Sequence, residues 1–90
     1  MVVIILERVP IGLRGELSRW MLEPKSGVFV GRISAMVRER LWEKVEKSKK
    51  IGAAMLIHAA NTEQGFAMRM TGDTSRLIED FEGLSLVRIP

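Results

Sequence analysis

Glu7 and a scatter of arginines are the residues of this chain best suited to chemistry. Glu7 stands directly after the run Val2-Val3-Ile4-Ile5-Leu6, and α/β folds present polar groups to ligands at the carboxyl ends of buried strands. A carboxylate there can pair with Arg8 or Arg14 across a dimer, or supply an oxygen ligand to a hard cation. Arg14 follows the Pro10–Gly12 turn at the start of a helix, Arg38 lies on a helix flank and Arg76 in a loop, with Arg8 and Arg32 as lesser candidates. Guanidinium groups on such edges contact phosphates bidentately without reading bases. The plain alternative for each is a solvated surface charge.

Composition narrows the chemistry. Ninety residues form one domain, and 47% of them are hydrophobic; a chain so small and apolar makes a marginal monomer and often hides surface in an oligomer. The net charge of +3 suits a polyanionic partner without demanding one. There is no cysteine, which excludes disulfides, thiolate zinc sites and cysteine nucleophiles. The single histidine, His58, lies in an apolar stretch and reads as a packed core residue; alone it makes a Ser-His-Asp triad improbable. Val2–Leu6 is too short for a signal-peptide core and meets Glu7 and Arg8 at once. No apolar run approaches the ~20 residues of a membrane helix, so a soluble cytoplasmic domain is expected.

The elements that must position these residues follow from periodicity. Val2–Leu6 is continuous and β-branched, as in a strand covered on both faces. Leu13, Leu17, Trp20 and Met21 make one helical stripe, ended by Pro24 and Gly27. Val28-Phe29-Val30 reads as a short strand, and Ser34 as the N-cap of a second helix with Val37, Leu41 and Val45 buried and Trp42 at the stripe's edge. Both tryptophans are therefore expected in the core. Glu43 and Lys47 are spaced to pair, and Gly52 is expected to close that helix after a lysine cluster. Ala53–Ala60, a turn at Asn61–Gly65 and the alternating Phe66–Thr71 predict a hairpin. Gly72–Ser75 reads as loop, and Leu84, Leu86 and Val87 as a last strand. The order βαβαββ plus a terminal strand gives a two-layer sandwich with both helices on one sheet face.

Several short motifs recur together. The acid Glu7 is followed by Leu13-Arg14-Gly15, then Gly27-Val28-Phe29-Val30-Gly31, then Arg38-Glu39-Arg40-Leu41-Trp42-Glu43. Beyond them stand Ala60-Asn61-Thr62-Glu63-Gln64-Gly65-Phe66 and Asp80-Phe81-Glu82-Gly83-Leu84-Ser85-Leu86-Val87. In order and spacing this resembles the small CRISPR-associated spacer-acquisition proteins (the "Cas two" family), in the subtype I-E branch, over nearly the whole chain.

The resemblance implies an α+β, ferredoxin-like fold, with two helices on one face of a mostly antiparallel sheet and an additional C-terminal strand. That fold needs two strands between the helices where only Val28–Val30 is plain; Gly31–Ile33 either forms a bent second arm or the hairpin is truncated. It implies a cytoplasmic homodimeric adaptor that bridges two integrase dimers and supports prespacer duplex DNA, with Arg14, Arg38 and Arg76 at basic positions of the branch. Relatives often carry further basic or polar residues where this chain has Gly12, Met36 and Ser75. Glu63, Asp80, Glu82, Leu84, Leu86 and Val87 resemble the surface that docks the integrase. An acidic patch beside a terminal strand suits a basic, strand-accepting partner, and the segment 84–90 is expected to pair with its own sheet, with the dimer mate or with that partner. The family also carries a label as an endonuclease (endoribonuclease or double-strand DNase), with an acid at the position of Glu7, usually Asp, proposed to bind Mg²⁺ at the dimer interface. One carboxylate per subunit is thin for metal catalysis, so the expected role of Glu7 is structural. A small ligand-sensing regulatory domain is the third class, disfavoured by the absence of a glycine-rich phosphate loop.

Overall fold

The continuous apolar run Val2–Leu6 forms β1, which sits in the middle of a five-stranded sheet. A computed structural model of the chain describes residues 1–73. Its elements are β1 (Val2–Leu6), α1 (Ile11–Ser18), β2 (Leu22–Lys25), β3 (Val28–Gly31), α2 (Ala35–Lys47), β4 (Ala54–Ala59) and β5 (Phe66–Thr71), with sheet order β2-β3-β1-β4-β5. Every neighbouring pair is antiparallel. β1 and β2 therefore run parallel with β3 between them, and α1 is the crossover such a pair requires. This is the ferredoxin-like βαββαβ sandwich, widened by β5.

Alternation along β1 divides the interior in two. Val2, Ile4 and Leu6 meet Leu13 and Leu17 of α1 and Leu41, Trp42 and Val45 of α2. Val3 and Ile5 point to the other face, in a second cluster with Val28, Met55 and Ile57. All five β1 residues are buried, as the continuous apolar run required.

The two strands between the helices come from an unexpected place. Leu22-Glu23-Pro24-Lys25, read in sequence as the end of the first helix, is an edge strand that pairs with β3 through the two-residue turn Ser26-Gly27. An edge strand tolerates Pro24 because that position owes no hydrogen bond to a second neighbour. Gly27 makes the turn possible: its φ is +83°, and a Cβ there would lie 2.6 Å from the Leu6 carbonyl oxygen. Leu6 N–H donates to the Gly27 carbonyl at 2.8 Å, so the two backbones must touch.

Recruitment of β2 shortens α1. The helix stops at Ser18, where the N–H groups of Arg19, Trp20 and Met21 turn back onto the carbonyls of Glu16 and Leu17. Trp20 loses its place on the helical stripe and is 47% exposed, contrary to the expected core position. Met21 stays buried.

The later elements within the described residues follow their readings with small shifts, and His58 departs from its own. Ser34 Oγ accepts from Val37 N–H at 3.2 Å, capping α2, and Lys47 Nζ donates to Glu43 Oε1 at 2.8 Å. The helix ends at Ser48 rather than at Gly52, which lies in the loop before β4. β4 and β5 pair over six rungs from Ala54↔Thr71 to Ala59↔Phe66. His58 is half-buried rather than packed in the core, near the end of β4, with Nδ1 2.9 Å from the Ala59 carbonyl oxygen. Among the described residues no helix is long and apolar enough to cross a membrane. The expected last strand lies outside the described residues.

Candidate nucleic-acid interface

At the carboxyl end of β1 the chain stays tied to the β4 side: Glu7 N–H donates to the Ala53 carbonyl at 2.9 Å and Arg8 N–H to the Ile51 carbonyl at 3.0 Å. These bonds hold the half-buried Glu7 over Gly52, whose φ is +74°. A Cβ on Gly52 would run into the Glu7 carboxylate and lie 3.0 Å from Arg8 Nη2. The carboxylate and the guanidinium thus crowd the same point.

A Mg²⁺ ion takes about six oxygen ligands and keeps several waters. Among the described residues no group of three His, Cys, Asp or Glu side chains converges, and Glu7 has a cation at its side. One chain's described residues do not fit a divalent site; a second carboxylate would have to come from another subunit.

Arg14 is held by Glu23 of β2. Its Nη2 donates to Glu23 Oε2 at 3.2 Å, and its Nε lies 3.1 Å from Oε1 without forming a hydrogen bond. The same Oε2 accepts from Gly27 N–H at 3.0 Å, so the Ser26-Gly27 turn aims the carboxylate that neutralises Arg14. Arg38 is also engaged: its Nε donates to Glu39 Oε2 at 2.9 Å, and Arg69 of β5 donates to that oxygen too. The hydrogen bond from Arg69, then that from Arg38, hold the Glu39 carboxyl below the usual carboxylate range. The Arg38–Glu39–Arg69 group is solvent-facing and worth little to stability, whereas the Arg14–Glu23 pair is part-buried.

The helices lie antiparallel, with Lys44 Nζ 3.3 Å from Glu16 Oε2. Arg14 precedes Glu16 by two residues and Arg38 precedes Lys44 by six, which separates them by roughly 12 Å along the helix direction. They do not form one site. Arg8 and Arg32 are exposed, at opposite ends of the sheet, and their side chains have no ion pair among the described residues. Glu63 is exposed in the β4–β5 turn, where Gly65 N–H donates to the Thr62 carbonyl at 3.0 Å. Arg76, Asp80, Glu82, Leu84, Leu86 and Val87 lie outside the described residues.

Sequence reasoning passed over Arg19 and Arg40, which flank the exposed Trp20 in the groove between α1 and α2. The signal for them was the Ser26-Gly27 dipeptide, a turn pair that marks a hairpin and forces the first helix to end early.

Comparison with known families yields one finding: the family model described as CRISPR-associated protein (Cas_Cas2CT1978) matches residues 1–86.

Proposed function

The chain belongs to this CRISPR-associated protein family, and from that premise we propose that it serves CRISPR adaptation as a non-catalytic homodimeric adaptor. In this reading the dimer bridges two integrase dimers and supports prespacer duplex DNA through phosphate contacts. The family match over residues 1–86 carries the reading. Arginines at helix starts and loop edges support the phosphate role, since such groups position a duplex without reading its bases.

The pairing of Arg14 makes the DNA contact testable. Arg14 can engage a phosphate only by leaving or sharing Glu23, so Glu23 lowers its contribution. Binding of a blunt duplex should weaken linearly in log salt, and Arg14→Ala or Arg76→Ala should flatten the slope by about one counterion per site. Glu23→Gln, which frees Arg14, should raise affinity at low salt and steepen the slope by only the fraction of that counterion which Glu23 withholds in the parent. A change in base preference at constant slope in the arginine variants would overturn the phosphate assignment.

The competing reading is a Mg²⁺-dependent endonuclease built on Glu7 from two subunits. The crowding of Glu7 against Arg8 over Gly52 favours the structural role instead. Glu7→Gln keeps the side chain's size and removes the charge that a divalent ion requires. Prespacer integration with the partner integrase is expected to persist in this variant. Loss of integration with dimerisation and integrase binding intact would establish the nuclease reading.

A further inference from the structure

Trp20 is the residue the fold treats least as its type predicts. Of the two tryptophans, Trp42 is 2% exposed and Trp20 is 47% exposed. Trp20 stands between two grooves at the carboxyl end of α1. The first, about 230 Å³, has Val37 and Leu41 in its lining together with Arg19 and Arg40. The second, about 370 Å³, has Arg19 again and Arg32.

Of the four arginines elsewhere among the described residues, three are paired and only Arg8 is not. Arg14, Arg38, Lys44, Lys47 and Arg69 each have a carboxylate partner. Arg19, Arg32 and Arg40 have no side-chain ion pair or hydrogen bond among the described residues. The nearest acid lining the first groove, Glu16, is already committed to Lys44. An exposed aromatic face, an apolar patch and three uncompensated guanidinium groups thus converge on one end of the molecule.

We propose that this end of the fold binds single-stranded nucleic acid, one base stacking on Trp20 while flanking phosphates are held by Arg19, Arg32 and Arg40. Charge complementarity selects a polyanion, and the indole selects one with a free π face. Aromatic side chains in basic grooves bind single strands in this way, with little regard to sequence. A duplex keeps its bases stacked inside and offers the indole nothing. An acidic peptide would satisfy the arginines but not Trp20. Trp20, Arg19 and Arg40 are distinct from the residues expected to hold duplex phosphates; only Arg32, a lesser duplex candidate, is shared, and the site does not rest on the duplex contacts.

Intrinsic fluorescence tests this directly, because the buried Trp42 is a silent background to Trp20. Full-length protein would be titrated with oligothymidylate, oligouridylate, an abasic deoxyribose-phosphate oligomer and a blunt duplex. Either single strand is expected to quench Trp20, and the tighter of the two identifies the strand type the site prefers. Trp20→Ala should weaken single-strand binding about tenfold, Trp20→Phe should keep most of it, and Arg40→Gln should reduce the log-salt slope by about one. Duplex affinity should be unchanged in the Trp20 variants, which separates failure here from failure of the adaptor reading. Circular dichroism checks that each variant is folded. The proposal is overturned if Trp20→Ala, folded, binds oligothymidylate as the parent does. It is equally overturned if the abasic oligomer binds as tightly as oligothymidylate, or if neither strand quenches Trp20.

Discussion

Trp42→Ala is expected to lower the folding stability by about 3–5 kcal/mol, the usual cost of truncating a buried tryptophan. Trp42 is the largest of the fully buried side chains and stands between α2 and the sheet, in the cluster with Leu13, Leu41, Val45 and Ile51. A domain of this size has roughly 5–13 kcal/mol in all, so the loss takes a large share of it. With an m-value of about 1.5 kcal/mol/M, the urea midpoint should fall by about 2–3 M. The indole Nε1–H is buried without a hydrogen bond, and such a donor is itself costly, at about 1–3 kcal/mol. Trp42→Phe removes that donor together with part of the volume. The two effects oppose, and its net cost should stay within about 1.5 kcal/mol. A midpoint for Trp42→Ala within experimental error of the parent would refute the assignment of Trp42 as the anchor of α2.

The largest functional effect is expected from reversing acidic charge on the proposed integrase-docking surface. Glu63 is exposed in the β4–β5 turn, and Glu82 lies in the Asp80–Val87 motif outside the described residues. Exposed charge substitutions usually alter stability by no more than about 0.5 kcal/mol. The Glu63→Lys, Glu82→Lys double variant should therefore stay folded and sediment at twice the 10.2 kDa chain mass. It should hold duplex DNA as well as the parent or slightly better, because the change adds positive charge. Against a basic partner, the same change replaces attraction by repulsion, and integrase capture in a pull-down should drop at least tenfold. Undiminished capture by the folded double variant at low salt would remove the acidic docking surface from the reading. A monomeric mass for the parent protein would remove the homodimer with it.

Local pattern was enough for much of the fold. The continuous β-branched run Val2–Leu6, the stripe Val37, Leu41, Val45 behind a Ser34 cap, and the alternation of Phe66–Thr71 are each local patterns that survive without knowledge of neighbours. The Glu43–Lys47 pair was legible for the same reason, since its partners are one helical turn apart. Motif order likewise carried the family, which depends on residue types along the chain rather than on their packing.

The middle of the chain was decided in three dimensions. Leu22–Lys25 has neither a clean helical nor a clean strand period, and it becomes β2 because the Ser26-Gly27 turn brings it against β3. That pairing shortens α1 and exposes Trp20, which a helical stripe extended by one more turn would have buried. It also delivers Glu23 to Arg14 across nine residues. A sequence shows that an arginine is present at a helix start, but whether its charge is spent on a carboxylate or left for a phosphate depends on which strand folds beside it. Arg14 and Arg40 are both arginines on helices of this chain; only the tertiary structure pairs the first with an acid and leaves the second without one among the described residues.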